Sequence, residues 1–213
     1  MAVFRDRIDA GKQLAGKLSA YRGRNPLVLA IPRGAIPLGD VVARELKGQL
    51  DLVLVHKIGA PGNPEFAIGA VAEDGKVVLG GEADFFSVSE EYVKRAAAEE
   101  VAALQAKRQL YSPYTHAIPR RDRVVILVDD GIATGQTMLA AVRAVREDGP
   151  AEIVVAAPVA STDAYEALEK VADRLAVVAV EERFGSVSRF YETFAQVSDA
   201  EVVEILARMR SAS

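Results

Sequence analysis

The chain has 213 residues, carries 26 Lys+Arg against 30 Asp+Glu for a net charge of −4, and is half hydrophobic. At roughly 150 residues per domain this length is read as one domain with embellishments, and its apolar content excludes a disordered chain. Zero Cys and only two His exclude a disulfide framework, a zinc–thiolate site, a thiol nucleophile and a histidine pair for a metal.

Ile8, Leu14, Ala15 and Leu18 mark an N-terminal amphipathic helix. Leu27-Val-Leu-Ala-Ile31 is the first short apolar run, followed by a helix marked by Leu38, Val41, Val42 and Leu46. Leu52-Val-Leu-Val55 is the second run, and Val77-Val-Leu79 reads as a shorter edge strand. A long charged helix runs from Ser89 to about Tyr111, opened by the capping box Ser87-x-x-Glu90. The alternation then resumes: strand Val124–Val128, helix Met138 to Val145, strand Ile153–Ala156, helix Tyr165–Val171, strand Ala176–Val180. The last helix is opened by Ser198-x-x-Glu201, with Val202, Leu206 and Met209 on one face. Runs that are apolar throughout predict strands buried on both faces. The expected fold is therefore α/β, a central, mostly parallel sheet flanked by helices on both faces. Its ligands gather beyond the carboxyl ends of the strands, at the loops after Ile31, Val55, Val128 and Ala157.

No apolar run approaches the ~18 residues of a membrane span. The start MAVFRDRIDAG is charged where a signal peptide would be greasy, and mild acidity argues against a protein that coats a nucleic-acid duplex. A soluble, cytoplasmic protein with small-molecule partners is expected, with no membrane and no nucleic acid.

Val125-Ile-Leu-Val-Asp-Asp-Gly-Ile-Ala-Thr-Gly-Gln-Thr137 is the most informative stretch. A buried strand delivers two adjacent carboxylates, Asp129 and Asp130, to its end, and a turn of small and hydroxylated residues leads into a helix. The free N–H groups and positive end of such a helix cradle phosphate. Gly135 lets the backbone approach closely, and Thr134 and Thr137 add hydroxyl donors. Two carboxylates beside a phosphate seat suit a ribose 5-phosphate. No Lys follows Gly135, so the Walker pattern does not fit, and no G-x-G-x-x-G opens a helix after a strand.

This stretch resembles the phosphoribosyl-diphosphate motif of the type I phosphoribosyltransferases, departing at Gly131, where those enzymes usually carry an aliphatic residue. The resemblance implies that Asp129 and Asp130 hold the ribose hydroxyls, and that Ala133, Thr134, Gly135, Gln136 and Thr137 wrap the 5′-phosphate. Ala133 resembles the adenine-type loop and lacks the acid that the hypoxanthine-guanine branch carries there. The resemblance covers roughly residues 25–195 of a single domain over 1–213, with a hood from the terminal segments and the helix near 89–111 as an insertion.

Arg33 and Gly34 follow the first strand; taken alone they are a turn with one surface Arg, but the resemblance makes them the pyrophosphate loop. That loop often contains a strained non-proline cis peptide, expected here at or near Arg33-Gly34. Lys57 resembles the basic residue that touches pyrophosphate and is expected to act in catalysis with the acid pair. The Gly- and Pro-rich stretch Gly59–Ala67 is similar in position to a mobile, water-excluding loop, from which Glu65 could reach the leaving group or base. His56 reads as a strand-end residue rather than a base. Phe184 is placed like the aromatic that stacks on purine, although it could equally pack the terminal helix with Phe190, Tyr191 and Phe194. Ala157-Pro-Val-Ala160 lacks the Lys that reads a 6-oxo group, so the base is not legible.

The implied activity is Mg²⁺-dependent transfer of a phosphoribosyl group to a nitrogenous base, the ion being held mainly by the substrate's diphosphate and ribose, with no protein metal site. Assembly as a homodimer is left open. The alternatives are a non-catalytic sensor of the diphosphate sugar or a nucleotide and, last, a hydrolase of phosphoribosyl compounds.

Overall fold

The computed structural model describes residues 3–73, 75–79, 88–115 and 118–210, apart from the side chains of 64–67 and 210. A five-stranded sheet of order β2-β1-β6-β7-β8 forms the centre, with every pair parallel. Its strands are β1 (Leu27–Ala30), β2 (Gln49–Leu52), β6 (Val124–Val128), β7 (Glu152–Ser161) and β8 (Arg174–Glu181). Residues of β1 and β6 alternate between two cores, as the period of a strand requires. Val28, Ala30, Ile126 and Val128 face α1 (Arg7–Lys17), α2 (Ala35–Leu46) and α6 (Asp199–Arg210), whereas Leu27, Leu29, Val125 and Leu127 face α4 (Gln136–Arg146) and α5 (Thr162–Glu169). Both faces are covered, so no polar alternation marks these strands in the sequence.

The apolar runs do not announce a second, antiparallel sheet, made of β3 (Val55–Ala60), β4 (Asn63–Ala72) and β5 (Val77–Leu79). Against it lies the long helix α3 (Glu90–Tyr111), whose Val93, Ala97 and Leu104 pack on Leu54, Ile58, Ile68 and Val71. The expected strand Leu52–Val55 is therefore two strand ends. Leu52 closes β2 and Val55 opens β3. Asp51 hides β2 from a reading of apolar runs, although it is buried and its Oδ1 accepts the Leu52 N–H at 2.8 Å.

The stretch expected to be an irregular loop is a hairpin. Pro61 and Gly62 make its turn, with Gly62 at φ +74°, and the pairing slips on either side of Gly59. Glycine supplies such positive φ without steric cost, so Gly and Pro here signal a tight turn. Two boundaries also differ. β7 runs past Ala157 to Ser161, with Ala157 and Val159 paired to β8 on either side of Pro158; the loop it feeds follows Ser161. The N-cap of α3 is Ser89, whose side chain accepts the Tyr92 N–H, and Ser87 lies outside the described residues. No helix among the described residues is long and apolar enough to cross a membrane.

Candidate active site

In-register pairing of Ala30 with Val128 ends β1 and β6 side by side, so the loops that follow share one space. The β1 loop holds a non-proline cis peptide between Pro32 and Arg33, within the expected stretch at or near Arg33-Gly34. Gly34 lies so close to the β6 loop that a Cβ there would run into the Asp130 carboxylate. Together these loops, the start of β3 and the C-terminal segment enclose a cavity of about 980 Å³. Arg33, Gly34, Lys57, Asp129, Asp130 and Thr137 all line it.

Asp129 and Asp130 meet opposing influences. Burial pushes the Asp129 carboxyl well above the ordinary range, with the Asp130 charge as the next cause. Burial raises Asp130 too, against the pull of Arg7. Arg7 Nε donates to Asp130 Oδ2 at 2.9 Å, and Nη2 forms an ion pair with the same oxygen at 2.8 Å. The Asp130 N–H donates to Asp129 Oδ1 at 2.8 Å, and the Tyr191 hydroxyl donates to the Asp130 carbonyl at 2.6 Å.

The following loop is pinned from below. Ile132 N–H donates to Val159 O at 2.8 Å, and the Ser161 hydroxyl donates to Ala133 O at 2.6 Å. Gly135, at φ +76°, starts α4 in a conformation that favours glycine. The backbone N–H groups of Ala133, Thr134, Gly135, Gln136 and Thr137 donate no hydrogen bond among the described residues. Gly131 has a steric reason: a Cβ there would stand 2.5 Å from Val187 Cγ1 and 2.8 Å from Cγ2. A valine from the C-terminal segment fills the space an aliphatic residue at 131 would need.

Three residues singled out from the sequence have protein partners. Arg33 is turned to the C-terminal helix, where Nη1 donates to Asp199 Oδ2 at 3.2 Å. Phe184 is buried against Phe190, with ring centroids 5.0 Å apart, and is not among the cavity residues; the short helical turn Val187–Phe190 brings Val187 to the lining instead. His56, second in β3, lies between two α3 side chains, with Nδ1 2.5 Å from Glu100 and Nε2 3.3 Å from Lys107. The Glu65 side chain lies outside the described residues. Sequence reasoning misses Arg7, Ser161 and Val187 because their partners come from distant segments and none carries a local motif.

Residues 4–189 match the model of the phosphoribosyl transferase domain. The chain is 37% identical over 212 residues to Rv0571c of Mycobacterium tuberculosis H37Rv, and equally so to MT0597 of strain CDC 1551, both provisionally named phosphoribosyl transferases. These matches take in 98% of this chain and 47% of each relative, so the chain spans about half the length of the curated relatives it matches. The crystal structure of TT1426 from Thermus thermophilus is 42% identical, with a TM-score of 0.90 over 98% of this chain and 99% of that one. On its sequence, from Phe4 to Arg189, and on the fold that places the acid pair, the chain belongs to the phosphoribosyl transferase domain family.

Proposed function

We propose that the cavity binds 5-phosphoribosyl 1-diphosphate and transfers its phosphoribosyl group to a nitrogenous base, releasing pyrophosphate. The observation that carries this reading is the pair Asp129–Asp130 past the end of β6, followed after two intervening residues by five backbone N–H groups without a partner among the described residues. Carboxylates accept hydrogen bonds from sugar hydroxyls, and amides at a helix start donate to phosphate. In this reading Asp129 and Asp130 hold the ribose and favour positive charge at its anomeric carbon. Ala133–Thr137 hold the 5′-phosphate, and Arg33, Gly34 and Lys57 receive the departing diphosphate. The hairpin of β3 and β4 excludes water from the reacting carbon.

Mg²⁺ requires about six hard oxygen ligands. Among the described residues no three His, Cys, Asp or Glu side chains come together. Two adjacent carboxylates fit an ion carried in on the diphosphate and ribose oxygens: those oxygens would hold it, and Asp129 and Asp130 would hold the ribose hydroxyls. When bound there, the ion offsets charge on the leaving pyrophosphate.

The test combines thermal shift with 5-phosphoribosyl 1-diphosphate and Mg²⁺ and an assay of pyrophosphate release across a panel of purine and pyrimidine bases. Stabilisation and base-dependent release are expected, and Asp130→Asn should abolish release. Stabilisation without release for any base would replace the transferase with a sensor of the same ligand.

A further inference from the structure

Segments near the two ends of the described chain, at residues 4–7 and 190–195, meet at Asp130. Phe4 N–H donates to Phe190 O at 2.9 Å, Glu192 N–H to Phe4 O at 2.8 Å, and Thr193 N–H to Arg5 O at 2.9 Å. This pairing sets Arg7, the first residue of α1, against the Asp130 carboxylate and Tyr191 against its carbonyl. The ion pair is little exposed, 11% at the Arg7 side chain and 14% at Asp130. Arg7 is also held elsewhere: Nη1 donates to Ala195 O at 2.6 Å, and the guanidinium carbon lies 3.9 Å from the centroid of the Phe194 ring. A guanidinium engaged along two edges and one face keeps little rotamer freedom. Its hydrogen bond and its ion-pair contact with Asp130 both fall on Oδ2, and Asp130 Oδ1 accepts no hydrogen bond among the described residues.

We infer that Arg7 is a positioning residue of the transfer reaction: it occupies one oxygen of Asp130, leaves the other for a sugar hydroxyl, and keeps the carboxylate ionised beside Asp129. The role presupposes that the cavity takes a phosphoribosyl diphosphate. It assigns work to a residue that otherwise only ties the two ends of the chain together. The groups that face Asp130 are few. Asp129, beside it just past the end of β6, carries a like charge, and Arg7 from α1 opposes the burial that raises Asp130. Tyr191 meets the carbonyl, and the β1 loop contributes the backbone of Gly34, its Arg33 being turned to Asp199. His56 and Lys57 on β3, with Glu100 and Lys107 on α3, line the same cavity.

A guanidinium that holds a carboxylate ionised matters most at low pH, because at high pH the carboxylate ionises unaided. The experiment uses the full chain, its Arg7→Met and Arg7→Lys variants, and 5-phosphoribosyl 1-diphosphate with Mg²⁺ as the probe. Affinity is measured by calorimetry from pH 5 to 9, and the Asp130 carboxyl is titrated by ¹³C NMR without ligand. Arg7→Met should bind more weakly than wild type at the acid end of this range, by at most about tenfold for each unit that its Asp130 pKa rises, and the gap should close toward pH 9. Its Asp130 should titrate at higher pH than in wild type. Arg7→Lys keeps the charge and should follow the wild-type pH profile with a smaller loss. A deficit that is constant across pH, or an Asp130 titration unchanged in Arg7→Met, would overturn the role. If Arg7→Met does not fold, Arg7→Lys decides by whether its Asp130 titrates with wild type. If wild type itself fails to bind the probe, the substrate reading falls, and the ligand-free titration still judges Arg7.

Discussion

Asp129 illustrates how a residue proposed to bind substrate opposes the fold that holds it. Its carboxyl is pushed up from the ordinary value of 3.8, first by burial and then by Asp130. An acid with a raised folded pKa holds more protons folded than unfolded, so its contribution to stability is complete at low pH and lost as pH rises through the folded pKa. Asp129→Asn should therefore unfold at the wild-type temperature near pH 3 and at a higher temperature at pH 7. Each kcal/mol gained is worth roughly 2–4 °C in a chain of this size. The same change should weaken binding of the diphosphate sugar. Equal melting temperatures at pH 7 would mean that burying the pair costs the fold nothing. Gly131 makes a second case. Gly131→Val should overpack against Val187 and cost about 1–3 kcal/mol, and Val187→Ala in the same chain should recover most of it. Unfolding of the two single variants and the double variant gives the coupling; additive losses would show that the two residues do not share the space.

At the scale of elements, legibility follows burial and continuity. β6 is readable to the residue because all five of its positions are buried and apolar. β2 is hard to place because Gln49 and Asp51 interrupt it, while the apolar run Leu52–Val55 bridges two strands. β7 outlasts its expected end because Pro158 resembles a stop. The acid pair and its loop are legible as a motif, since strand, carboxylates and helix start are contiguous. Arg7 is not, because only tertiary pairing brings it to Asp130. The hairpin is the element whose behaviour is easiest to test. α3 holds its base through Leu104 and Val93, and the Tyr92 hydroxyl donates to Gly59 O at 2.9 Å, next to the slipped pairing. Amides of the Pro61–Gly62 turn should exchange with deuterium faster than those of β6, and ligand should slow exchange from Lys57 to Asn63. Unchanged exchange on binding would make the hairpin a fixed wall of the cavity rather than a cover.

For the whole molecule, the end segments do more than close the fold. Val187, Phe194, Ala195, Gln196 and Val197 line the cavity beside Arg7, so the residues proposed to meet an acceptor come from segments without a motif. That is why the base is unreadable: Phe184 and Phe194 are similar aromatics on one stretch, and backbone geometry alone puts one in the core and the other at the cavity. The C-terminal helix also supplies Asp199, which accepts from both Arg33 and the Tyr111 hydroxyl, the latter at 2.5 Å. In the proposed reading Arg33 meets the diphosphate already partnered. Binding there is an exchange, in which a diphosphate oxygen replaces a protein carboxylate instead of displacing ions from solution. Asp199→Asn should bind pyrophosphate more tightly at low ionic strength and lose that advantage steeply as salt is added, because a bare guanidinium is screened by dissolved anions. Wild type should show the shallower salt dependence; equal slopes would refute the exchange. A carboxylate carried within the chain as a resident competitor gives up some affinity, and in return insulates the grip on substrate from the ionic strength around the protein.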